Sequence, residues 1–262
     1  MESAAVRLKH GRGLLFSITQ PHELFLQWLI FSATLAFCLW LSWDLGILTP
    51  IFTQDPSNIC YIIALLCIGT TIHCGFRTFF ISQQLNRLRE IAIAATGVTE
   101  PLQLDGDRVM LNKRPLKASL TADYLQSILL WYQGDTAIPA SQQEYTQLAD
   151  ILADRARGQH EYGWFISGLV LKLGLLGTII GFVMMVGSIS TTKALDLSDV
   201  QSLLTRMTVG MGVALNTTLA GLVANVLLSI QYLMLDRGAD KLVSDSVNYA
   251  QTSVIPHLAK NA

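Results

Sequence analysis

Four stretches of the chain stay apolar for the roughly 20 residues that a bilayer core demands. They run from about Leu24 to Trp43, Ile59 to Ile81, Gly163 to Ile189 and Met207 to Leu235. None of the 19 acidic residues falls inside them; of the Lys and Arg side chains only Lys172 lies well within one, with Arg77 near an end. Soluble core helices rarely read this way, so the pattern predicts an all-α, polytopic membrane protein with four transmembrane helices and a helical cytoplasmic loop.

Between the first two spans, Gly46, Pro50, Asp55 and Pro56 mark a short external connection of turn formers, too small for a receptor domain. The segment 82–160 opens with Gln83-Gln84-Leu85-Asn86-Arg87-Leu88-Arg89-Glu90, a helix-like continuation of the second span, and breaks at Gly97 and Pro101. After a polar stretch with Asp105, Gly106 and Asp107, helical patterning returns over Ser119 to Tyr132 and again after Pro139. Ser141-Gln142-Gln143-Glu144 has capping-box spacing, so a helix is expected from about Gln142 toward the membrane. Arg87, Arg89, Glu90, Asp150, Asp154, Arg155, Arg157 and Glu161 read either as a docking face for a cytoplasmic protein or as an ordinary solvated helix surface.

Basic residues set the expected orientation. They collect in the N-terminal segment (Arg7, Lys9, Arg12), in the 82–160 segment and in the tail (Arg237, Lys241, Lys260), whereas the other two connections hold only Lys193 and Arg206. Both termini and the large loop are therefore expected in the cytoplasm, with residues 1–23, 82–160 and 236–262 there and 24–81 forming the first helix pair with its short periplasmic connection. A cleaved signal peptide is the competing account of the first span, because Ser32-Ala33-Thr34-Leu35-Ala36 is loosely like a cleavage site. The apolar run continues through Phe37-Cys38-Leu39-Trp40-Leu41, which suits an uncleaved anchor.

Composition agrees with this class: 51% of residues are hydrophobic, 14% are charged and mean hydropathy is +0.43. A net charge of -1 carries no nucleic-acid footprint. Cys38, Cys60, Cys67 and Cys74 lie in the first two spans and offer no disulfide framework; spaced by seven, the last three share a helix face but sit too far apart for one metal ion. They read as packing residues. No G-x-S-x-G, H-E-x-x-H or phosphate-binding loop is present, so an enzyme is not expected. Neither is a metal or a cofactor.

The candidate chemistry sits in the last two spans. Gly174, Thr178 and Gly181 in the third, and Ala214, Thr218 and Gly221 in the fourth, repeat a small residue, a threonine and a glycine at i, i+4 and i+7, so each trio occupies one helix face. Small residues let helices approach closely in lipid. The hydroxyls suit a polar path or a partner's carboxylate, or else they bond back to their own helix. Relay of protons through a bilayer commonly uses ionisable side chains, and these spans hold no carboxylate, so a proton-carrying acid must come from another chain.

The segment Gly174-Leu175-Leu176-Gly177-Thr178-Ile179-Ile180-Gly181 resembles the G-L-hydrophobic-G-T-V-hydrophobic-G signature of the MotA/TolQ/ExbB proton-channel family. Ala214-Leu215-Asn216-Thr217-Thr218-Leu219-Ala220-Gly221-Leu222 is similar to that family's A-L-x-x-T-x-x-G-L segment. The resemblance covers about Trp164 to Leu235 and marks 163–235 as a channel domain. It implies a homopentamer in a bacterial inner membrane around a single-span MotB/ExbD/TolR-like subunit whose transmembrane aspartate carries the ion. It also implies that Thr178 and Thr218, with Thr217 and Asn216 behind them, face the ion path and that Gly174, Gly177, Gly181, Ala214 and Gly221 pack the helices. Val213 stands where the TolQ and ExbB branches carry glutamate and Leu227 where proline is usual, and four spans make the MotA layout the closer one.

Lys172 reads as a snorkelling or hydrated cation, or as a group for ion exit or subunit pairing. His73 and Arg77, one turn apart, read as interfacial anchors. The expected function is thus the ring-forming channel subunit, or stator, of a motor driven by the proton motive force, with sodium open as the ion. The alternative is a non-conducting membrane scaffold.

Overall fold

The computed structural model describes residues 22–53, 55–95, 103–105, 108–111, 114–133, 142–190 and 197–256. In chain order these form α1 (Glu23–Asp44), α2 (Thr49–Thr53), α3 (Ile59–Ala95), β1 (Gln103–Asp105), β2 (Arg108–Leu111), β3 (Arg114–Pro115), α4 (Leu120–Gln133), α5 (Gln142–Arg157), α6 (His160–Ser190) and α7 (Leu197–Tyr249), which ends in a π-helical turn over Ala250–Val254. Four helices are long and apolar enough to cross a membrane, within Glu23–Asp44, Ile59–Ala95, His160–Gly187 and Val200–Val254. The chain is thus an all-α polytopic membrane protein. The expected N-terminal basic segment, the breaks at Gly97 and Pro101, Gly106, Asp107, Pro139, Ser141 of the capping box, Lys193 and Lys260 lie outside the described residues.

Two compact units divide the chain. The first comprises 28–76 and 160–234. Its core is Ile59, Ile63, Val170, Ala224 and Leu228, with Leu66, Cys67, Leu173 and Ile180 packed around them, so α3, α6 and α7 meet there. On the outside the usual polarity is inverted: Leu65, Phe76, Phe165, Ile179 and Leu215 are all more than half exposed. Water would penalise so continuous an apolar surface by about 25 cal/mol per Å², whereas hydrocarbon does not. Helix α1 has no buried residue at all, as a lipid-facing helix requires.

The second unit comprises 1–27, 77–159 and 235–262. Here α3, α4, α5 and the end of α7 bury Ile81, Leu88, Leu125, Ile128, Leu152, Ala156, Leu235 and Leu242. Helix α4 starts where the Ser119 hydroxyl accepts the Ala122 amide at 3.1 Å and the Gln84 side chain accepts the Leu120 amide at 3.1 Å. Two of the four orphan amides of that helix are thereby met. Helix α5 begins at the expected Gln142 and stops at Arg157; the Gly158 amide closes its last turn on the Asp154 carbonyl at 2.7 Å, and α6 begins anew at His160.

Segment 82–160 departs from the all-helical expectation in one stretch, where β1, β2 and β3 form an antiparallel sheet. Asp105 pairs with Arg108 and Leu111 with Arg114, so two-residue connections join the strands. Strands of two to four residues are too short to display a period of two, but the dipeptide Gly106-Asp107 between them is itself a hairpin signal in sequence. The other departure is α7, whose 53 residues run well past the expected span end at Leu235. Buried Leu235, Ala239, Leu242, Ser246 and Tyr249 recur at helical spacing and carry it on.

Ahead of α3, the Asp55 carboxylate accepts the Ser57 and Cys60 amides at 2.9 Å each, tying down an orphan donor in the first helical turn. Burial pushes this carboxyl up, but the bonds from Ser57 and Cys60 outweigh it and hold it below its ordinary value. A carboxylate bonded only in the native state stabilises above its ordinary titration range and ceases to as the pH falls through its lowered value. Asp55→Ala is therefore expected to weaken the start of α3 by about 1 kcal/mol at neutral pH. Hydrogen exchange at the Cys60 amide should accelerate roughly fivefold, with the difference from wild type vanishing in acid.

Candidate functional site

Within the first unit, α6 and α7 lie backbone to backbone along a row of small residues. A Cβ placed on Gly174 would stand 3.0 Å from the Thr217 carbonyl and 3.1 Å from the Gly221 Cα, and one on Gly221 would stand 2.8 Å from the Gly174 Cα. One on Gly181 would come within 2.6 Å of the Gly210 carbonyl and the Ala214 amide nitrogen, while on Gly177 it would collide with the Thr217 side chain. Nothing larger than glycine fits at these points without moving a backbone. Gly174, Gly177, Gly181, Ala214, Gly221 and Gly210 all stand at this helix contact. The position of Gly210 four residues before Ala214 is the signal that would have found it.

That approach brings the threonines together. Thr178 and Thr218 are hydrogen-bonded to one another through their hydroxyls. The Thr218 hydroxyl also lies 2.9 Å from the Ala214 carbonyl, whereas the Thr178 hydroxyl is 3.3 Å from the Gly174 carbonyl. Each hydroxyl has one proton, so the shorter distances favour a chain in which Thr178 donates to Thr218 and Thr218 donates to the Ala214 carbonyl. The Thr178 oxygen then keeps lone pairs able to accept from an incoming acid. Both residues are half-buried. Thr217 is fully buried and bonds the Val213 carbonyl of its own helix at 2.8 Å, so it packs against Gly177. Asn216 is half-buried and sits about 200° around α7 from Thr218; the structure does not bring it to the hydroxyl pair.

The contacts of α7 with α6 and with α3 carry further polar bonds that sequence reading did not give. Ser167 donates to the Asn225 side chain at 2.9 Å and lies 3.3 Å from the Ser229 hydroxyl. His73 Nδ1 is 2.9 Å from the Tyr232 hydroxyl, an intrachain partner. Gln231 is fully buried and reaches the Thr71 hydroxyl at 3.4 Å through its Nε2, while its Oε1 is buried with no hydrogen-bond partner among the described residues. Thr218, Asn225 and Tyr232 are spaced by seven and share a face of α7, which is the signal that was available. Lys172 is exposed and lies away from all of these.

Gly177→Val is expected to push α6 off Thr217 and to cost several kcal/mol of packing, read as loss of the folded protein from detergent extracts; Gly187→Ala, where an added Cβ meets nothing within 4 Å, should be silent. Residues 142–247 match the model of the MotA/TolQ/ExbB proton channel family. No curated protein and no solved structure matches the chain. The matched span takes in α5, α6 and α7 up to Val247, and so every glycine and threonine of the packed contact. From residue 142 to residue 247, the chain is similar to the MotA/TolQ/ExbB proton channel family.

Proposed function

We propose that this multi-pass membrane protein is the ring-forming subunit of an ion-driven motor, in which ion flow past Thr178 and Thr218 is coupled to movement of, or by, a partner subunit. The observation that carries the reading is the bonded hydroxyl pair, set on glycine-packed helices of a proton channel domain whose apolar stretches contain no acid. A partner helix supplies the carboxyl group. In its protonated form that group donates its O–H to the open lone pair of Thr178; once it loses the proton to water, the same contact sets acceptor against acceptor and the bond is lost. Alternation between the two states gives the two chains a reason to step.

The rest of the reading follows the family resemblance. The chain assembles with copies of itself, as a pentamer, around a single-span subunit bearing a transmembrane aspartate. It sits in a bacterial inner membrane with both termini and the segment 82–160 in the cytoplasm, where that segment docks a cytoplasmic protein. Protons are the ion, the cargo that a carboxyl group takes up and gives off as it alternates between its two forms.

A second reading, a non-conducting scaffold, is favoured by the same bonds, which satisfy the hydroxyls within the chain. The two separate cleanly in proteoliposomes holding the complex purified through this chain. Thr178→Val keeps the shape and deletes the acceptor; with assembly intact, proton flux is expected to fall about tenfold, the worth of one hydrogen bond of roughly 1.4 kcal/mol. Unchanged flux would favour the scaffold for this site, and no flux in the wild type would exclude the channel. Replacing sodium by choline is expected to leave flux unaltered.

A further inference from the structure

Lys172 stands on the side of α6 turned away from α7. Val170 and Gly174, which face α7, are each about 200° around the helix from it. Its own face is made by Phe165, Leu176, Ile179 and Val183, which are 67%, 46%, 61% and 63% exposed. All four lie within about 40° of Lys172, so a single cation is set in an apolar stripe that no residue of the described chain covers.

Depth makes the placement costly. Lys172 is nine residues from the start of the apolar stretch at Gly163 and seventeen from its end at Ile189, about 13 and 25 Å by helix rise. Exposed Tyr162 and Trp164 are the aromatic residues of the nearer end, and Trp164 is about 12 Å away. A lysine stem reaches about 6 Å, so stretching toward that end leaves the ammonium inside hydrocarbon. A cation held there is costly unless an anion or water meets it. The nearest acid on α6 is Glu161, eleven residues away. A second copy of this chain brings no acid to this depth either, because none of its apolar stretches contains one.

We infer that Lys172 pairs with a carboxylate on a membrane-spanning helix of a different polypeptide, seated along the face of Phe165, Lys172, Ile179 and Val183. This rests on the channel reading for what the carboxylate does. The protonated acid, on reaching Lys172, gives its proton to water; the carboxylate left behind is held by the ammonium, which keeps all three of its own protons. Opposite charge favours the ionised form, so Lys172 is a positioning residue that drives release, whereas Thr178 greets the protonated form.

Treatment of membranes containing the full chain and its native partners with dicyclohexylcarbodiimide tests the pairing. The reagent activates a carboxyl group, the lysine amine displaces dicyclohexylurea, and an amide joins the two chains. Mass spectrometry is expected to find Lys172 joined to an acidic residue of another chain's transmembrane segment, and to find no such product in Lys172→Arg. Proton flux should persist in the arginine variant, while in Lys172→Met the pH of half-maximal flux should rise by about one unit, since loss of the cation strengthens the acid's hold on its proton.

The inference is overturned if no interchain product forms in complexes that conduct normally, or if a membrane-impermeant amine reagent labels Lys172 freely, as a cation drawn to lipid headgroups and water would be. It is overturned equally if the methionine variant conducts with an unshifted pH profile. A cross-link in complexes without flux sustains the pairing and sinks the channel reading instead.

Discussion

The glycine contact between α6 and α7 is the constraint on which the site depends. In hydrocarbon the hydrophobic effect gives two apolar helices no reason to associate, so close dispersion contact and a few hydrogen bonds must do so. Gly174 against Gly221 and Gly181 against Gly210 bring backbone to backbone at distances that a methyl group would forbid. Only at that separation do the short side chains of Thr178 and Thr218 reach each other across the interface. A longer side chain at any of these glycines would part the hydroxyls before it touched them.

The same closeness decides where polar groups can go. Ser167 with Asn225 and Ser229, and His73 with Tyr232, satisfy one another inside the first unit, so most of its polarity is closed off from lipid. What stays open is therefore informative. The Thr178 oxygen retains acceptor capacity on a half-buried surface, and Lys172 presents its charge to whatever covers the outer face of α6. One group accepts from a neutral acid and the other stabilises an anion, a division of labour suited to a carboxyl group that alternates between the two forms.

Charges outside the apolar stretches behave differently. Lys117 with Glu90 at 3.3 Å and Arg155 with Asp123 at 3.7 Å pair within the second unit on exposed surface. Each contributes at most about 1 kcal/mol. Several residues that read as a docking face are thus already engaged within the chain, and what the pairs leave is a mixed-charge surface on which a partner would compete for weak bonds.

The four spans were legible in sequence because hydrocarbon imposes a composition on 20 residues at a time, and composition survives without knowledge of contacts. The stripes of Gly174, Thr178 and Gly181 and of Ala214, Thr218 and Gly221 were legible too, since helical periodicity alone places them on one face. Sequence by itself left open which way a threonine bonds. Only the tertiary structure decided that Thr178 and Thr218 meet each other and that Thr217 turns back on its own helix. The partnership of His73 with Tyr232, 159 residues apart, leaves no local trace, nor do strands of two to four residues. The physical reason is common to all of these: periodicity reports the face a residue occupies, whereas which atom stands opposite is set by how closely two distant backbones approach.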